Sequence, residues 1–226
     1  MFILGLDLGQ SQDYTALSIL ERLDGGGTVY NVRGLERTRG TSYPNIVKRV
    51  SEVMGKLPGS VLALDYTGVG RPVYDMFIQA GLNPVGILIH GGDRVNHEQG
   101  DSIYRVPKRD LIGVLKILFQ NQQANRYPMM QIAKKLDLAE TLKAEIHNLK
   151  VKIDPATAHD SYSAWREGDH DDLILSLGLA AWWGQQNPFV QLEAVTQTFG
   201  STSFSSSFDN LMRRFDNYDD YCKNCE

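Results

Sequence analysis

The sequence predicts an α/β fold: a mixed sheet made of an antiparallel meander of three strands followed by parallel strands, with helices on both faces. Three observations predict it. Residues 2–37 read as three strand-like segments joined by short turns, the pattern of a meander. From residue 42 onward, apolar positions at helical spacing alternate with short continuous apolar runs, the rhythm of strands and helices in a layered α/β domain. The chain has 226 residues, 42% of them hydrophobic and 22% charged, which suits one large globular domain with or without an appendage.

Taken in order, FILGLDL (2–8) is an apolar strand interrupted once, by Asp7. GQSQD (9–13) is a turn, YTALSILER (14–22) alternates like a second strand, LDGGG (23–27) is a turn, and TVYNVRGLER (28–37) is a third strand. Ser42 and Pro44 start a helix carrying Ile46, Val47, Val50, Val53, Met54 and Leu57, which Pro58-Gly59 stops. SVLALDYTGVG (60–70) is a short buried strand ending at Asp65 and a glycine-rich turn. Pro72 opens a helix closed by Gly81, and PVGILI (84–89) is the next buried strand. HGGDRVNHEQGDSIYRV (90–106) is a polar loop or exposed hairpin. Helices are expected over 107–121 and 133–148, a strand over 149–153, then a polar loop and a last, very apolar helix over 170–185. Beyond Pro188 the chain is serine-rich, so 1–187 is read as the folded domain and 188–226 as a flexible tail with a short helix near 208–215.

Composition excludes several classes. No apolar run approaches the ~20 residues that span a bilayer. MFILGLDLG lacks a basic flank and meets Asp7 early, so it reads as a strand and not a signal peptide. Cys222 and Cys225 are the only cysteines, half a zinc site at most, and their scarcity fits a reducing cytoplasm. A net charge of −4 argues against a general nucleic-acid binder. It is compatible with a nuclease, because metal-binding carboxylates subtract from the total while Arg94, Arg105, Lys108, Arg109, Lys134, Lys135, Lys143, Lys150 and Lys152 can line one face.

Four aspartates stand out. Asp7 interrupts a central strand, where an unpaired buried carboxylate is costly. Asp65 ends a buried strand at the carboxyl edge, where open α/β sheets place their sites. Asp171 and Asp172, beside His170, open the most apolar helix of the chain. An aspartate there is ordinarily a helix cap, but a cap needs one carboxylate. Adjacent helical residues point about 100° apart, so one can cap while the other faces a site. Asp172 is favoured for the site because small Ser176 and then Leu179 continue its face. If the first and fourth strands are neighbours, these carboxylates converge. Converging carboxylates repel unless a cation sits among them, and hard oxygen donors suit Mg²⁺ or Mn²⁺, two of which can drive phosphoryl displacement by water.

LGLDLGQSQDYTALSIL, VLALDYTGVGRPVYDMF, YRVPKRDLIGVLKILFQNQ and DHDDLILSLGLAAWW, in that order, resemble the nuclease domain of the large terminase subunit of tailed bacteriophages. The resemblance covers about residues 2–185 and implies a ribonuclease-H-like fold shared with Holliday-junction resolvases. It implies a Mg²⁺- or Mn²⁺-dependent endonuclease, with two ions, that cuts double-stranded DNA concatemers during genome packaging in the cytoplasm of the infected bacterial host. By the same resemblance Asp7 bridges the ions, Asp65 completes one ligand set, Asp172 with Asp171 supplies the third position, and His170 lies close behind. The resemblance also implies that Lys108 holds a DNA phosphate and that the 90–106 hairpin lies over the DNA groove; Arg94, Arg105 and Arg109 are candidate DNA contacts from their charge. The partners implied are the terminase ATPase motor, the small terminase subunit and the portal, with no membrane involved. No G-x-x-x-x-G-K-[ST] phosphate loop of a packaging ATPase occurs in the chain.

Three alternatives make distinct expectations. DLG and DGGGT occur in actin-like ATPases, but there they are far apart, and here they fall in one hairpin. A resolvase unconnected with packaging would prefer four-way junctions, and a non-catalytic binding module would neither bind metal nor cleave.

Overall fold

The structure is a computed structural model describing residues 1–10, 13–24, 27–97, 102–120, 128–153, 160–164 and 170–187. The elements are β1 (Phe2–Asp7), β2 (Tyr14–Asp24), β3 (Thr28–Arg39), α1 (Tyr43–Lys56), β4 (Val61–Asp65), α2 (Gly70–Gln79), β5 (Val85–His90), β6 (Asn96–His97), β7 (Ile103–Pro107), α3 (Lys108–Gln120), β8 (Met130–Ile132), α4 (Ala139–Asn148), β9 (Leu149–Ile153), β10 (Asp160–Ala164) and α5 (Asp172–Gln186). Eight strands form one sheet in the order β6-β7-β5-β4-β1-β2-β3-β8, and β9 with β10 forms a separate pair. The meander β1–β2–β3 is antiparallel, while β4 joins β1, β5 joins β4 and β7 joins β5 in parallel.

Side chains alternate across a strand, so each face of this sheet has its own helices. Leu4, Leu6, Leu17, Leu62 and Leu64 pack on Ile46, Val50 and Val53 of α1 and on Val73 and Phe77 of α2. On the other face Ile3, Ala16, Leu20, Tyr30 and Val32 meet α3 and α5, and Ala63, Ile87 and Val106 meet Leu179 and Trp182 of α5. Every residue of α5 from Asp172 to Trp182 is buried, which is why that helix carries no polar stripe. It lies on β1 at backbone distance. A Cβ on Gly5 would stand 1.8 Å from the Ser176 carbonyl oxygen, so this approach requires glycine.

β3 carries an irregularity that matters for the site. Ile19 pairs with Gly34 and Leu20 with Val32, so Arg33 is an extra residue in the ladder. Such a bulge shifts the alternation by one. Tyr30 and Val32 point to the α5 face before it, and Leu35 and Arg37 point there after it. Glu36 consequently faces α1, where it pairs with Arg49 at 2.6 Å.

The sequence-based expectations hold for the meander, the next two parallel strands and the helices between and after them. Asp24 pairs with Thr28 across one hairpin, as expected for DGGGT. Three details differ. The helix expected over 133–148 begins at Ala139: residues 133–138 make tight turns, with Leu136 N–H donating to the Ala133 carbonyl and Leu138 at φ 63°. The strand β8 was not expected, because three residues carry no period and their pairing with β3 is purely tertiary. Nor was β10, which lies in the segment read as a polar loop. Within the segment 90–106, β6 and β7 pair antiparallel, and β7 extends the main sheet beside β5. The 188–226 tail, its expected helix and Cys222/Cys225 lie outside the described residues. Among the described residues no helix is long and apolar enough to cross a membrane.

Candidate metal centre

Alternation and register bring the acids together. Along β1, Ile3, Gly5 and Asp7 face α5, and along β4, Ala63 and Asp65 face the same way. Leu6 pairs with Leu64 in the parallel ladder, so Asp7 and Asp65 are adjacent at the carboxyl edge one step on. The α5 helix lies across these strands and brings its N-terminus, with Asp171 and Asp172, to that edge. Asp65 is fixed locally: its Oδ1 accepts the Thr67 N–H at 2.8 Å, and the Thr67 hydroxyl accepts the Ile89 N–H at 3.0 Å. Gly70 is required in this turn because a Cβ there would lie 2.0 Å from the Asp65 carbonyl oxygen.

The four carboxyls share one electrostatic environment. Burial, followed by the charges of Asp65, Asp172 and Asp171, pushes the Asp7 carboxyl well above the usual carboxylate range. Burial likewise raises Asp65, which lies within hydrogen-bonding reach of Asp7, and it raises Asp172 against the pull of Arg37. Two basic residues enter from opposite sides. Lys108 Nζ lies 2.6 Å from Asp171 Oδ2, and Arg37 Nη2 donates to Asp172 Oδ2 at 2.9 Å. His170 Nδ1 stands 3.6 Å from that same Oδ2.

The capping role left open to one of the two aspartates is not filled by the N-cap residue. Asp171 is the N-cap residue, but its side chain makes no capping hydrogen bond. Glu145 of α4 does so instead, its Oε2 accepting the Ile174 N–H at 3.0 Å while Oε1 lies 3.5 Å from Arg37 Nη1. Burial raises the Glu145 carboxyl from 4.5 to about 7. A carboxyl whose pKa is raised on folding opposes stability once ionised, so metal-free stability should fall as pH rises from about 4.5 to about 7. Glu145→Gln, which keeps an acceptor for Ile174, should flatten that fall by as much as about 3 kcal/mol. Urea denaturation at pH 5 and pH 8 measures it, and an unchanged pH slope in the variant would contradict this reading.

Of the basic residues singled out in the sequence, Lys108 reaches the acids. Arg109 is held by Asp93, 2.6 Å from its Oδ1 and 2.7 Å from its carbonyl, and Arg94 and Arg105 are exposed on the hairpin side. Lys150 and Lys152 lie on β9. The sequence reading missed Arg37 and Glu145. A signal for Arg37 was present, because the apolar alternation of TVYNVRGLER changes phase at Arg33-Gly34, as a glycine-marked bulge does. No local signal marks Glu145, whose partners are contributed by β3 and α5.

Among the described residues no three His, Cys, Asp or Glu side chains stand close enough together to hold a metal ion as placed. The donor chemistry does suit a hard divalent cation: the buried Asp7 carboxyl, raised by the charge of the adjacent half-buried Asp65, with two more carboxyls at the end of α5.

No protein-family model matches the chain. It is 26% identical over 180 residues to the large terminase subunit of Thermus virus P23-45 and 25% identical over 180 residues to that of Thermus phage G20c. These stretches cover 80% of the chain and 31% of each relative, so the chain spans about a third of the length of the curated relatives it matches. In structure it is similar to the large terminase nuclease of thermophilic phage G20c, with a TM-score of 0.56 and 22% identity over 80% of each chain. That nuclease has also been solved with bound cobalt. The large terminase of bacteriophage HK97 aligns with a TM-score of 0.52 and 16% identity over 80% of this chain and 39% of that one. The ribonuclease-H-like fold is thereby established, and the resemblance drawn from the motifs is borne out.

Proposed function

We propose that the chain is a Mg²⁺- or Mn²⁺-dependent endonuclease that cuts double-stranded DNA during phage genome packaging. The observation that supports this best is the meeting of Asp7 and Asp65 on adjacent parallel strands with the α5 N-terminus bearing Asp171 and Asp172. Sequence similarity to large terminase subunits and the cobalt-bound form of the G20c nuclease agree with it. Asp7, Asp65 and Asp172, with Asp171 beside them, would hold two ions, and divalent cations there would supply charge neutralisation at the scissile phosphate and polarise a water for in-line attack. The chain's own groups bind and orient. Lys108, which pairs with Asp171, would meet a DNA phosphate, and the β6–β7 hairpin with Arg94 and Arg105 would flank the approach. The ATPase motor, small subunit and portal are the partners this role implies.

Plasmid DNA incubated with Mn²⁺ or with EDTA tests the reading. Cleavage in Mn²⁺ alone is expected, and it should be lost in Asp65→Asn and Asp172→Asn. Cleavage confined to four-way junctions would reassign the chain to a resolvase-type role. Mn²⁺ should also raise the melting temperature, since it binds the folded state, and by more at pH 8 than at pH 5. Because the Asp7, Asp65 and Asp172 carboxyls all have raised pKa values, protons compete with a cation there more strongly as pH falls. A shift as large at pH 5 as at pH 8 would place the cation elsewhere.

A further inference from the structure

Arg37 is 13% exposed, and its guanidinium is held on three sides. Nη2 donates to Asp172 Oδ2 at 2.9 Å, Nη1 lies 3.5 Å from Glu145 Oε1, and Cζ stands 3.9 Å from the centre of the Tyr14 ring. Tyr14 in turn meets the edge of His170 at 4.8 Å, and His170 also approaches Asp172 Oδ2. Arg37 is on this face of β3 only because Arg33 is an extra residue in the ladder. As a stability device the arrangement is poor. Arg37 Nε and Glu145 Oε1 are buried without a hydrogen-bond partner, and buried ion pairs of this kind are often no better than apolar packing. Its effect falls on one atom. The contacts from Arg37 and His170 both go to Oδ2 of Asp172, which leaves Oδ1 as the oxygen for a further ligand.

We propose that Arg37, itself held by Glu145, is a positioning residue that fixes the Asp172 carboxylate by Oδ2 and presents Oδ1 to the cation. This rests on the metal site proposed above. The planar fork of arginine serves two carboxylates at once, which lysine cannot do in the same geometry. Partners of this kind behind a metal ligand typically contribute 10–100-fold in metal affinity.

Calorimetric titration of Mn²⁺ into the full chain tests it, with plasmid cleavage across Mn²⁺ concentrations as a second readout. Arg37→Gln is expected to bind Mn²⁺ about 10–100-fold more weakly, with cleavage recovering at high Mn²⁺. Arg37→Lys should regain part of the affinity, and Arg49→Gln, which breaks the surface pair with Glu36, should bind as wild type does. Wild-type Mn²⁺ affinity in Arg37→Gln, beside a loss of binding in Asp7→Asn, would overturn the proposal and leave the site intact. Unchanged binding in Asp7→Asn would overturn the site reading, and the proposal with it. Where Arg37→Gln does not fold, Glu145→Gln reads the same quantity: weaker binding by a smaller factor is expected, and unchanged binding overturns the role.

Discussion

Asp7→Asn is expected to abolish divalent-cation-dependent cleavage while raising the melting temperature of the cation-free protein. The two effects have one cause. Asp7 is 8% exposed and repelled by Asp65, Asp172 and Asp171, so its ionised form is held in the fold at a cost. Asparagine has the same shape and no charge. Because the carboxyl's pKa is raised on folding, that cost is absent well below the usual carboxylate range and grows with pH, so the gain in stability should be larger at pH 8 than at pH 5. The same substitution removes the central anionic ligand of the proposed site. If that ligand contributes ~4 kcal/mol of transition-state stabilisation, the rate falls about 10³-fold. Thermal denaturation in EDTA and plasmid cleavage in Mn²⁺ measure the two sides. Wild-type cleavage, or a melting temperature lowered at pH 8, would refute the assignment.

Gly5→Ala is expected to be the most damaging single methyl group on β1. The new Cβ would stand 1.8 Å from the Ser176 carbonyl oxygen and 3.0 Å from the Ser18 hydroxyl. Backbone meets backbone here, so no rotamer change relieves the contact and α5 must lift from the sheet. Overpacking usually costs 1–3 kcal/mol, and about 3 kcal/mol or more is expected where the helix itself must move. For a chain of this size that lowers the melting temperature by roughly 6–12 °C. Lifting α5 also withdraws Asp171 and Asp172 from Asp7, so Mn²⁺ affinity should fall in the protein that remains folded. Ser176→Gly cannot rescue the variant, since it leaves the obstructing carbonyl in place. A Gly5→Ala protein that melts with wild type would show that α5 is free to shift.

How much of this was readable in the sequence depends on the range of the forces concerned. Asp7 and Asp65 were legible because one interrupts an apolar strand and the other ends one, while the adjacency of those strands, on which their convergence depends, is supplied by the parallel β1–β4 pairing. The α5 helix was legible from its unbroken apolarity. The role of its first turn was half legible: the two aspartates marked a candidate site with one of them free to cap, but the cap belongs to Glu145, 29 residues from the Ile174 N–H it accepts. A distant side chain can displace a local cap wherever tertiary packing brings a better acceptor. Arg37 read as an ordinary residue near the end of a strand, because the face it occupies is decided by the bulge at Arg33. The tight turns before α4 misled for a related reason, since Leu136 fits a helical period while the backbone around Leu138 does not.

The position of α5 along the chain has a consequence for biosynthesis. Roughly a hundred residues separate Asp65 from Asp172, about 5–20 s of translation at ordinary rates. Throughout that interval the emerging polypeptide already carries both strand aspartates but lacks the helix that faces them. The same helix seals β1 and β2 from water. Closure of the sheet face under α5 and assembly of the acidic constellation are therefore one late event, and a ribosome that stalls before residue 171 releases a product with neither.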